Sequence, residues 1–292
     1  MSIHDPNLDL DWLISDFSPI SLQELNETAE MLSRIDNKYV VPRAALQSLV
    51  PALQGEFRIL DIDQRRAFTY DTRYFDDAER SAYFEHHQGL RKGFKVRVRR
   101  YADAGLSFLE VKVKGKRGMT EKFRLPQDAE PVEQLSDEAM RFARHTYCGQ
   151  YEKPFEYDLK AAMDIRYKRI TLVAKTGGER MTIDTDLRFQ TKNGTMSLGT
   201  DVFIVEAKSA LGRGFADAQL RRAKQRPTKK CSKYCIAMAA MGEVDRYNRF
   251  LPTMRKLGLI ASGRPGGGCS EIRPELRLNV AAPGHLSGRR AA

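Results

Sequence analysis

The chain has 292 residues, of which 41% are hydrophobic, so it is long enough and apolar enough to bury a core of its own. Its 49 Lys and Arg residues against 38 Asp and Glu residues give a net charge of +11, which favours a polyanionic partner: nucleic acid, an anionic membrane or a phosphorylated small molecule. The sequence has no apolar run of membrane-span length, no basic signal-peptide start and no disulfide or zinc-finger pattern of cysteines, which predicts a cytoplasmic protein with reduced thiols.

The first half of the chain alternates short helices with strands. Ser21 and Glu24 have capping-box spacing and predict a helix, which leads into a strand around 34–41 that Pro42 ends. Hydrophobic periodicity then predicts helices over 43–53 and 79–88 and strands over 57–62, 67–76, 94–101, 106–114 and 119–125. Short turns separate the last three strands, which predicts an antiparallel meander.

The second half continues in the same way. Its periodicity predicts helices over 131–147, 214–225 and 231–241 and strands over 164–174, 180–189 and 201–209. Residues 262–292 are rich in Gly, Pro and Arg and show little periodicity. The sequence therefore predicts one domain over 1–261 followed by a flexible tail over 262–292.

Charged and apolar residues alternate along the predicted strands. In KVRVRR, Lys95, Arg97 and Arg99 share one face of the strand, while Val96 and Val98 share the other. The same alternation puts further charged residues on one face: Glu110, Lys112 and Lys114; Lys122 and Arg124; Asp184, Asp186 and Arg188; Glu206 and Lys208. Like charges paired across strands destabilise a sheet by about 0.2–1 kcal/mol each, so a face written only for solubility would mix the signs.

Closure of the sheet would explain why one face carries so many charged residues. A sheet that closes into a barrel turns the face into a lumen, and helices cover the apolar exterior. The sequence therefore predicts an α+β fold, a closed antiparallel β-barrel with a charged lumen. Phosphate is the natural anion for such a lumen, because each charge-assisted hydrogen bond contributes about 1.5–3 kcal/mol. For any single strand, a solvated sheet face is the alternative.

The carboxylates of this face favour a divalent cation. The candidate ligands for Mn²⁺ or Mg²⁺ are Glu206, Glu110, Asp184 and Asp186, whose hard oxygens would leave coordination positions for phosphate. The alternative for each is a salt bridge within the lumen. Glu206 is the strongest candidate, because an unpaired carboxylate would be costly on the apolar strand VFIVEAK.

Taken together, the motifs over roughly residues 30–242 resemble the VTC domain, the catalytic domain of the vacuolar transporter chaperone polyphosphate polymerase in the triphosphate tunnel metalloenzyme superfamily. The segments that carry the resemblance are RIDNKYVV, YDTRYFD, KVRVRRY, FLEVKVK, TEKFRL, YKR, RMTIDTDL, FIVEAK and KKCSKY. The resemblance implies a triphosphate tunnel with phosphate contacts from Lys38, Arg97, Arg99, Lys112, Lys122, Arg124, Arg169, Arg180, Lys230 and Lys233. It also implies Glu206 as a metal ligand, and the strand pattern adds Lys208 beside it.

The implied activity is metal-assisted phosphoryl transfer, in which cations and Mn²⁺ neutralise the γ-phosphoryl of ATP while the end of a polyphosphate chain attacks it. The hydrolytic branch of the superfamily has Glu-x-Glu-x-Lys where this chain has Arg34, Asp36 and Lys38, which favours the polymerase-like branch. Asp36 keeps a triphosphatase acting on triphosphate or nucleotides as an alternative, and a non-catalytic polyphosphate binder is another. His86 and His87 are expected at the surface, with a position at the tunnel mouth as the alternative.

Nucleic acid is not expected as the partner. The cations alternate with Val and Leu inside strands, and they lack the interleaved exposed aromatic residues of a base-stacking platform. The sequence indicates no oligomeric state.

Overall fold

The computed structural model describes residues 9–28, 35–115, 120–128, 133–260 and the backbone of 277–278. Within these ranges the helices are α1 (Asp11–Ile14), α2 (Leu22–Thr28), α3 (Arg43–Glu56), α4 (Ser81–Gln88), α5 (Asp137–Tyr151), α6 (Phe215–Arg222), α7 (Lys233–Ala240) and α8 (Leu251–Lys256). The strands are β1 (Pro19–Ile20), β2 (Ile35–Pro42), β3 (Phe57–Leu60), β4 (Ala67–Asp76), β5 (Phe94–Tyr101), β6 (Leu106–Lys114), β7 (Thr120–Gln127), β8 (Lys160–Ala174), β9 (Arg180–Thr191), β10 (Gly194–Ser197), β11 (Val202–Ser209) and β12 (Arg277–Leu278). The rest of the predicted tail lies outside the described residues.

All of these strands belong to one sheet of 12 strands. Its main run is antiparallel throughout, in the order β2, β11, β9, β8, β4, β5, β6, β7. This confirms the predicted antiparallel α+β architecture and the meander of β5, β6 and β7. In the described part of the chain, β2 and β7 share no paired register, so the sheet is not closed and the predicted closed barrel is not confirmed.

The sheet nevertheless curls strongly. On one face, Arg99 of β5 reaches across β4 and donates from Nη2 to the hydroxyl of Tyr167 on β8, at 2.9 Å. Arg97, burial and Arg99 hold the pKa of Lys112 on β6 well below its usual value, and Glu206 of β11 is close enough to oppose that shift. A flat sheet would hold β11 and β6 about 24 Å apart at about 4.8 Å per strand, too far for that interaction. The curl therefore turns this face of the sheet towards itself.

The outer face of the sheet carries the apolar half of each alternating strand. Helices α1, α3 and α6 cover the β2, β11 and β9 region, and α5 covers β5 and β6. Tyr39 of β2 lies on this outer side and donates a hydrogen bond to Asp217 of α6 at 2.5 Å. Burial of large aliphatic side chains contributes about 1.5–3 kcal/mol each, so these helices hold the curled sheet in shape.

Helix α7 lies against the opposite, inward-turned side. Every residue from Tyr234 to Ala240 is buried, as expected for a helix that is apolar all round. The ring of Tyr234 stacks on Tyr74 of β4 with centroids 4.9 Å apart, and its hydroxyl donates to Asp76 at 2.6 Å. The sheet thus wraps around α7, which brings the basic residues at its start to the inside. No helix in the described ranges combines the length and the apolar character that crossing a membrane requires.

Candidate functional site

The inward-turned side of the sheet, here called the inner face, carries the charged half of each alternating strand. The paired registers give its members as Lys38 of β2; Glu206 and Lys208 of β11; Arg180 and Asp184 of β9; Arg169 of β8; Lys95, Arg97 and Arg99 of β5; Glu110, Lys112 and Lys114 of β6; and Lys122 and Arg124 of β7. Charged positions therefore lie on both sides of β4, which itself contributes Tyr70 and Tyr74 to this face.

Glu206 lies between two lysines at the β2 and β11 end of the inner face. Its Oε1 is 2.8 Å from Lys38 Nζ and 2.9 Å from Lys208 Nζ. Burial alone would raise the pKa of Glu206, but Lys38 and Lys208 outweigh burial and lower it well below the usual value. Lys208 also contacts Asp36 at 3.4 Å, and burial together with the nearby Glu206 raises the pKa of Asp36. Two carboxylates therefore share this corner with two ammonium groups.

Asp184 holds a second charged group together in the middle of the face. Arg169 donates to both carboxylate oxygens, at 2.6 and 2.8 Å, and Lys233 of α7 contacts the same group at 2.5 Å. Burial opposes ionisation, but Arg169 and Lys233 lower the pKa of Asp184 to about 2. The ring of Tyr70 lies between two guanidinium groups, 5.1 Å from Arg169 and 5.3 Å from Arg99. These contacts fix the direction in which the cations point.

Glu110 organises the cations of β5, β6 and β7. Arg97 donates to it at 2.8 Å from Nε, Arg124 donates at 3.0 Å, and Lys122 lies at 3.5 Å. Burial would raise the pKa of Glu110, but Arg97 and then Arg99 outweigh it and lower the pKa strongly. Burial and the nearby Arg124 in turn lower the pKa of Lys122 to about 8. One fully buried carboxylate thus forms ion pairs with several cations at once.

Lys112 stands apart because no carboxylate pairs with it. Within the described residues it makes no hydrogen bond or ion pair, although it lies opposite Lys95 on β5 and Lys122 on β7. Arg97, burial and Arg99, in that order, hold its pKa well below the usual value. The Nε of Arg99 is buried nearby without an acceptor. An anion placed here would satisfy donors that the folded chain leaves uncompensated.

A family model for the VTC domain matches residues 33–242, most of the chain. The chain belongs to the VTC domain family. This family has the triphosphate tunnel metalloenzyme fold, whose enzymes act on triphosphates and use divalent metal ions. The family predicted from the strand motifs is thereby confirmed.

Solved structures similar to this VTC domain share little sequence with it. A putative adenylate cyclase from Bacillus halodurans is 12% identical with a TM-score of 0.42, covering 68% of this chain and 95% of its own. A putative adenylyl cyclase from Hippeastrum, described as having a dominant triphosphatase activity, is 13% identical with a TM-score of 0.40, covering 74% of this chain and 99% of its own. A Pyrococcus horikoshii protein is 10% identical with a TM-score of 0.33, covering 84% of this chain and 94% of its own. No curated protein matches the chain.

The VTC domain offers one corner whose chemistry suits a divalent metal ion. Among the described residues, no group of three or more His, Cys, Asp or Glu side chains forms a metal cluster by itself. Glu206 and Asp36, however, lie close enough on adjoining strands for each to shift the other's pKa. Mg²⁺ is usually held by one or two carboxylates and completes its coordination with water and substrate phosphates. The pair fits that pattern, whereas Glu110 and Asp184 each accept two hydrogen bonds from an arginine, Arg97 and Arg169 respectively.

Two predicted site residues lie elsewhere. Asp186 was expected to share a face with Asp184, but the pairing of β8 with β9 shifts between them and Asp186 adopts a left-handed backbone with φ of 51°. It pairs with Arg188, which lies opposite Arg166 on the other face. The expectation of a shared face is therefore wrong, because a bulge breaks the alternation. Lys230 lies beyond the strands, where its ammonium donates to the carbonyl of His86 at 3.0 Å.

Other positions differ from expectation or were missed. His87 is buried at 3% exposure and His86 is half-buried, so their expected surface location is wrong. Asp36 was predicted to share strand parity with Lys38 and to keep hydrolysis open, but its place beside Glu206 and Lys208 follows only from the pairing of β2 with β11. Tyr70 and Tyr167, which position Arg99 and Arg169, carried no signal, because an aromatic residue in a strand usually indicates core packing.

Proposed function

We propose that this VTC domain is a polyphosphate polymerase-like phosphotransferase that moves the γ-phosphoryl group of ATP onto the end of a polyphosphate chain. The observation that carries the proposal is the cation excess around Lys112. On β5, β6 and β7 the inner positions hold Glu110 as the one carboxylate, against Lys95, Arg97, Arg99, Lys112, Lys114, Lys122 and Arg124. A row of phosphate groups matches that excess better than a single carboxylate or a neutral ligand would.

Phosphoryl transfer requires positioning and charge neutralisation more than proton transfer. A terminal oxygen of the polyphosphate chain attacks the γ-phosphorus, the bond from that phosphorus to the β,γ-bridging oxygen breaks, and ADP leaves with the electron pair. In this proposal the arginines and lysines of β5 to β7 hold the phosphates, while Arg169 and Lys233, positioned by Asp184, neutralise the transferring group. Attacking and leaving oxygens are both ionised near neutral pH, so no general base is required.

The metal in this proposal is Mn²⁺ or Mg²⁺, held by Glu206 and Asp36. When bound, it supplies charge neutralisation on phosphoryl oxygens. Lys38 and Lys208 share the Glu206 carboxylate in the free protein, and both ammonium groups can turn to phosphate once a cation takes their place. The predicted phosphate contacts at Lys38, Lys208 and Arg180 would then act from this side of the face.

We also propose that the curled inner face works as a tunnel around the phosphate chain. Support comes from the electrostatic interaction between Glu206 and Lys112, which belong to strands far apart in the sheet. A chain lying between them would contact both walls. The unpaired edges of β2 and β7 would form the seam of that tunnel.

A triphosphatase is the second candidate, and Asp36 is the observation that favours it. Its carboxylate has a raised pKa beside Glu206 and lies at the corner proposed for the metal. Such a group can accept a proton from an attacking water molecule. The same phosphate-binding residues would then hold a short triphosphate for hydrolysis.

The deciding experiment is incubation of the purified protein with γ-labelled ATP and Mn²⁺, followed by gel separation of polyphosphate from free phosphate. The proposal predicts a ladder of labelled polymer that requires the metal. Labelled free phosphate without polymer would replace the polymerase with the triphosphatase. Binding of tripolyphosphate without any turnover would contradict both enzymes and leave a polyphosphate-binding module.

A further inference from the structure

A separate cavity of 430 Å³ lies away from the strands, between the end of α4 and the segment that precedes α8. Its volume is in the range of small-ligand sites. The residues that line it are His87, Gln88, Arg246, Asn248 and Arg249. Two of these side chains are cationic and none is a carboxylate, so the lining favours an anion.

Several polar groups of this cavity have no partner in the described chain. The Arg246 side chain makes no hydrogen bond or ion pair there. Arg249 uses only Nη1, which donates to the carbonyls of His87 and Gln88 at 2.9 and 2.8 Å, so its Nε and Nη2 are free among described residues. His87 is 3% exposed; its Nε2 contacts Asn248 at 2.9 Å, while its Nδ1 is buried without a partner. His87 Nδ1 is thus a buried polar group without a partner, and the Arg246 and Arg249 side chains beside it are exposed donors that an anion can bind.

A row of cations joins this cavity to the inner face. Lys95 and Lys114 lie at the end of β5 and β6 nearest to α4, and Lys114 Nζ donates to the carbonyl of Leu90 at 2.5 Å. Burial, then Arg249 and Lys114, lower the pKa of Lys230, which shows how close these charges are to one another. At Gly89, a Cβ atom would lie 3.5 Å from Lys230 Nζ and 3.7 Å from Arg249 Nη1. Burial and then Lys95 lower the pKa of Lys114; Glu85 lies beside this row and opposes that shift, but the cations of the row still outnumber it.

We propose that the cavity is a second phosphate-binding site, which holds the distal phosphates of a chain whose other end lies on the inner face. This inference deepens the proposed function and rests on it for the identity of the chain, whereas the cavity's preference for phosphate groups stands on its own donors. Long polyphosphate therefore binds at both places and tripolyphosphate only at the inner face. Free inorganic phosphate offers the same chemistry and would occupy the cavity alone.

Arg246 gives a clean test because its side chain supports nothing else in the described structure. Titrations of wild type, Arg246→Glu, Lys112→Met and the control Arg144→Glu, an exposed arginine on α5, would use tripolyphosphate, long-chain polyphosphate and inorganic phosphate. We expect Arg246→Glu to weaken long-chain binding by about tenfold relative to its effect on tripolyphosphate, the loss of roughly one charge-assisted contact. We expect Arg144→Glu to change the two affinities equally and by less than about twofold.

The outcomes separate the cavity from the proposed function. Equal effects of Arg246→Glu and Arg144→Glu on long chains would overturn the second site. If Arg246→Glu weakens long-chain binding while Lys112→Met leaves tripolyphosphate binding intact, the cavity stands and the inner-face proposal falls. If wild type binds inorganic phosphate and Arg246→Glu does not, the site is supported and free phosphate is one of its occupants. If wild type does not bind inorganic phosphate but Arg246→Glu still weakens long-chain binding, the site is specific for the polyphosphate chain.

Discussion

The two halves of the inner face treat their charges differently. In the half formed by β2, β11, β9 and β8, four cations form ion pairs with carboxylates. Lys38 and Lys208 contact Glu206, and Arg169 and Lys233 contact Asp184. In the half formed by β5, β6 and β7, Glu110 stands alone among the cations and Lys112 has no carboxylate contact in the described chain. We call the first half balanced because each of these cations contacts a carboxylate, and the second half unbalanced because Lys112 contacts none among the described residues.

This difference assigns different work to the two halves. Balanced ion pairs hold side chains in place and can exchange a lysine for a metal ion at small electrostatic cost. Unbalanced cations raise the free energy of the folded protein, and an anion that binds there recovers that free energy as affinity. The balanced half therefore suits positioning and metal binding, and the unbalanced half suits holding phosphate. The following substitutions test this division.

The largest effect is expected at Glu206 in the balanced half. Glu206→Gln removes the charge that Lys38 and Lys208 share and half of the proposed carboxylate pair, so metal-dependent turnover should fall by roughly a hundred- to a thousandfold. Binding of tripolyphosphate without metal should persist, because the variant carries one negative charge fewer. Asp201→Asn, at an exposed pair with Arg43, is the control. Loss of metal-free binding in Glu206→Gln would mean that Glu206 positions phosphate ligands and does not hold metal.

Lys112→Met should separate activity from stability in the unbalanced half. Removing a half-buried cation that Arg97 and Arg99 repel should raise the melting temperature by about 2–4 °C. The same change should lower kcat/KM by about a hundredfold, since phosphate loses its unshared partner. Thermal unfolding and turnover would be measured on the same preparations, with the exposed Lys153→Met as control. A lower melting temperature together with normal turnover would contradict the assigned role.

Glu110→Gln should produce the opposite pattern in stability. The fully buried carboxylate is the main partner of Arg97, and its loss should destabilise the fold by about 3–5 kcal/mol because the guanidinium groups remain buried without it. Added tripolyphosphate should recover much of that loss by supplying the missing negative charge. Chemical denaturation with and without tripolyphosphate tests this, with the exposed Glu156→Gln as control. A variant as stable as wild type would show that Glu110 does not organise these cations.

A smaller effect is expected from pH. The pKa of Lys122 is lowered to about 8 by burial and Arg124, and a bound phosphate would raise it again. Affinity for tripolyphosphate should therefore be highest below pH 8 and fall a few-fold as the pH rises above 8. Above that pH Lys122 has lost its proton in the free protein, so binding must be accompanied by uptake of a proton from solution. Lys122→Arg should reduce that fall, since a guanidinium stays protonated. Identical pH profiles for both proteins would exclude Lys122 as the titrating group.

Strand alternation made most of the inner face predictable from the sequence. Lys95, Arg97 and Arg99 lie on one side of β5, and the register pairs them with β6 and β7 as the meander required. The predicted face of Asp186 was wrong because a bulge shifts the alternation of inward and outward side chains by one residue. Neither of its neighbours, Thr185 and Leu187, is a residue type that indicates a bulge.

Long-range arrangement was less predictable. The periodicity of α7 indicated a helix but not the side of the sheet on which it lies, which depends on the curl of all the main strands. Short elements such as α1, α8 and β10 were missed, because four to six residues give too little periodicity to detect. The sequence also did not predict which cations form ion pairs with Glu110 and Glu206, since that depends on the rotamers these carboxylates adopt among several neighbouring cations.

The central claim is that the β5 to β7 half binds phosphate through cations that the fold leaves unbalanced. Calorimetric titration of tripolyphosphate into metal-free wild type and Lys112→Met tests it most directly. We expect one tripolyphosphate to bind per chain in wild type, and binding to be at least about tenfold weaker in the variant. Equal affinity in the two proteins, or no binding to wild type, would contradict it.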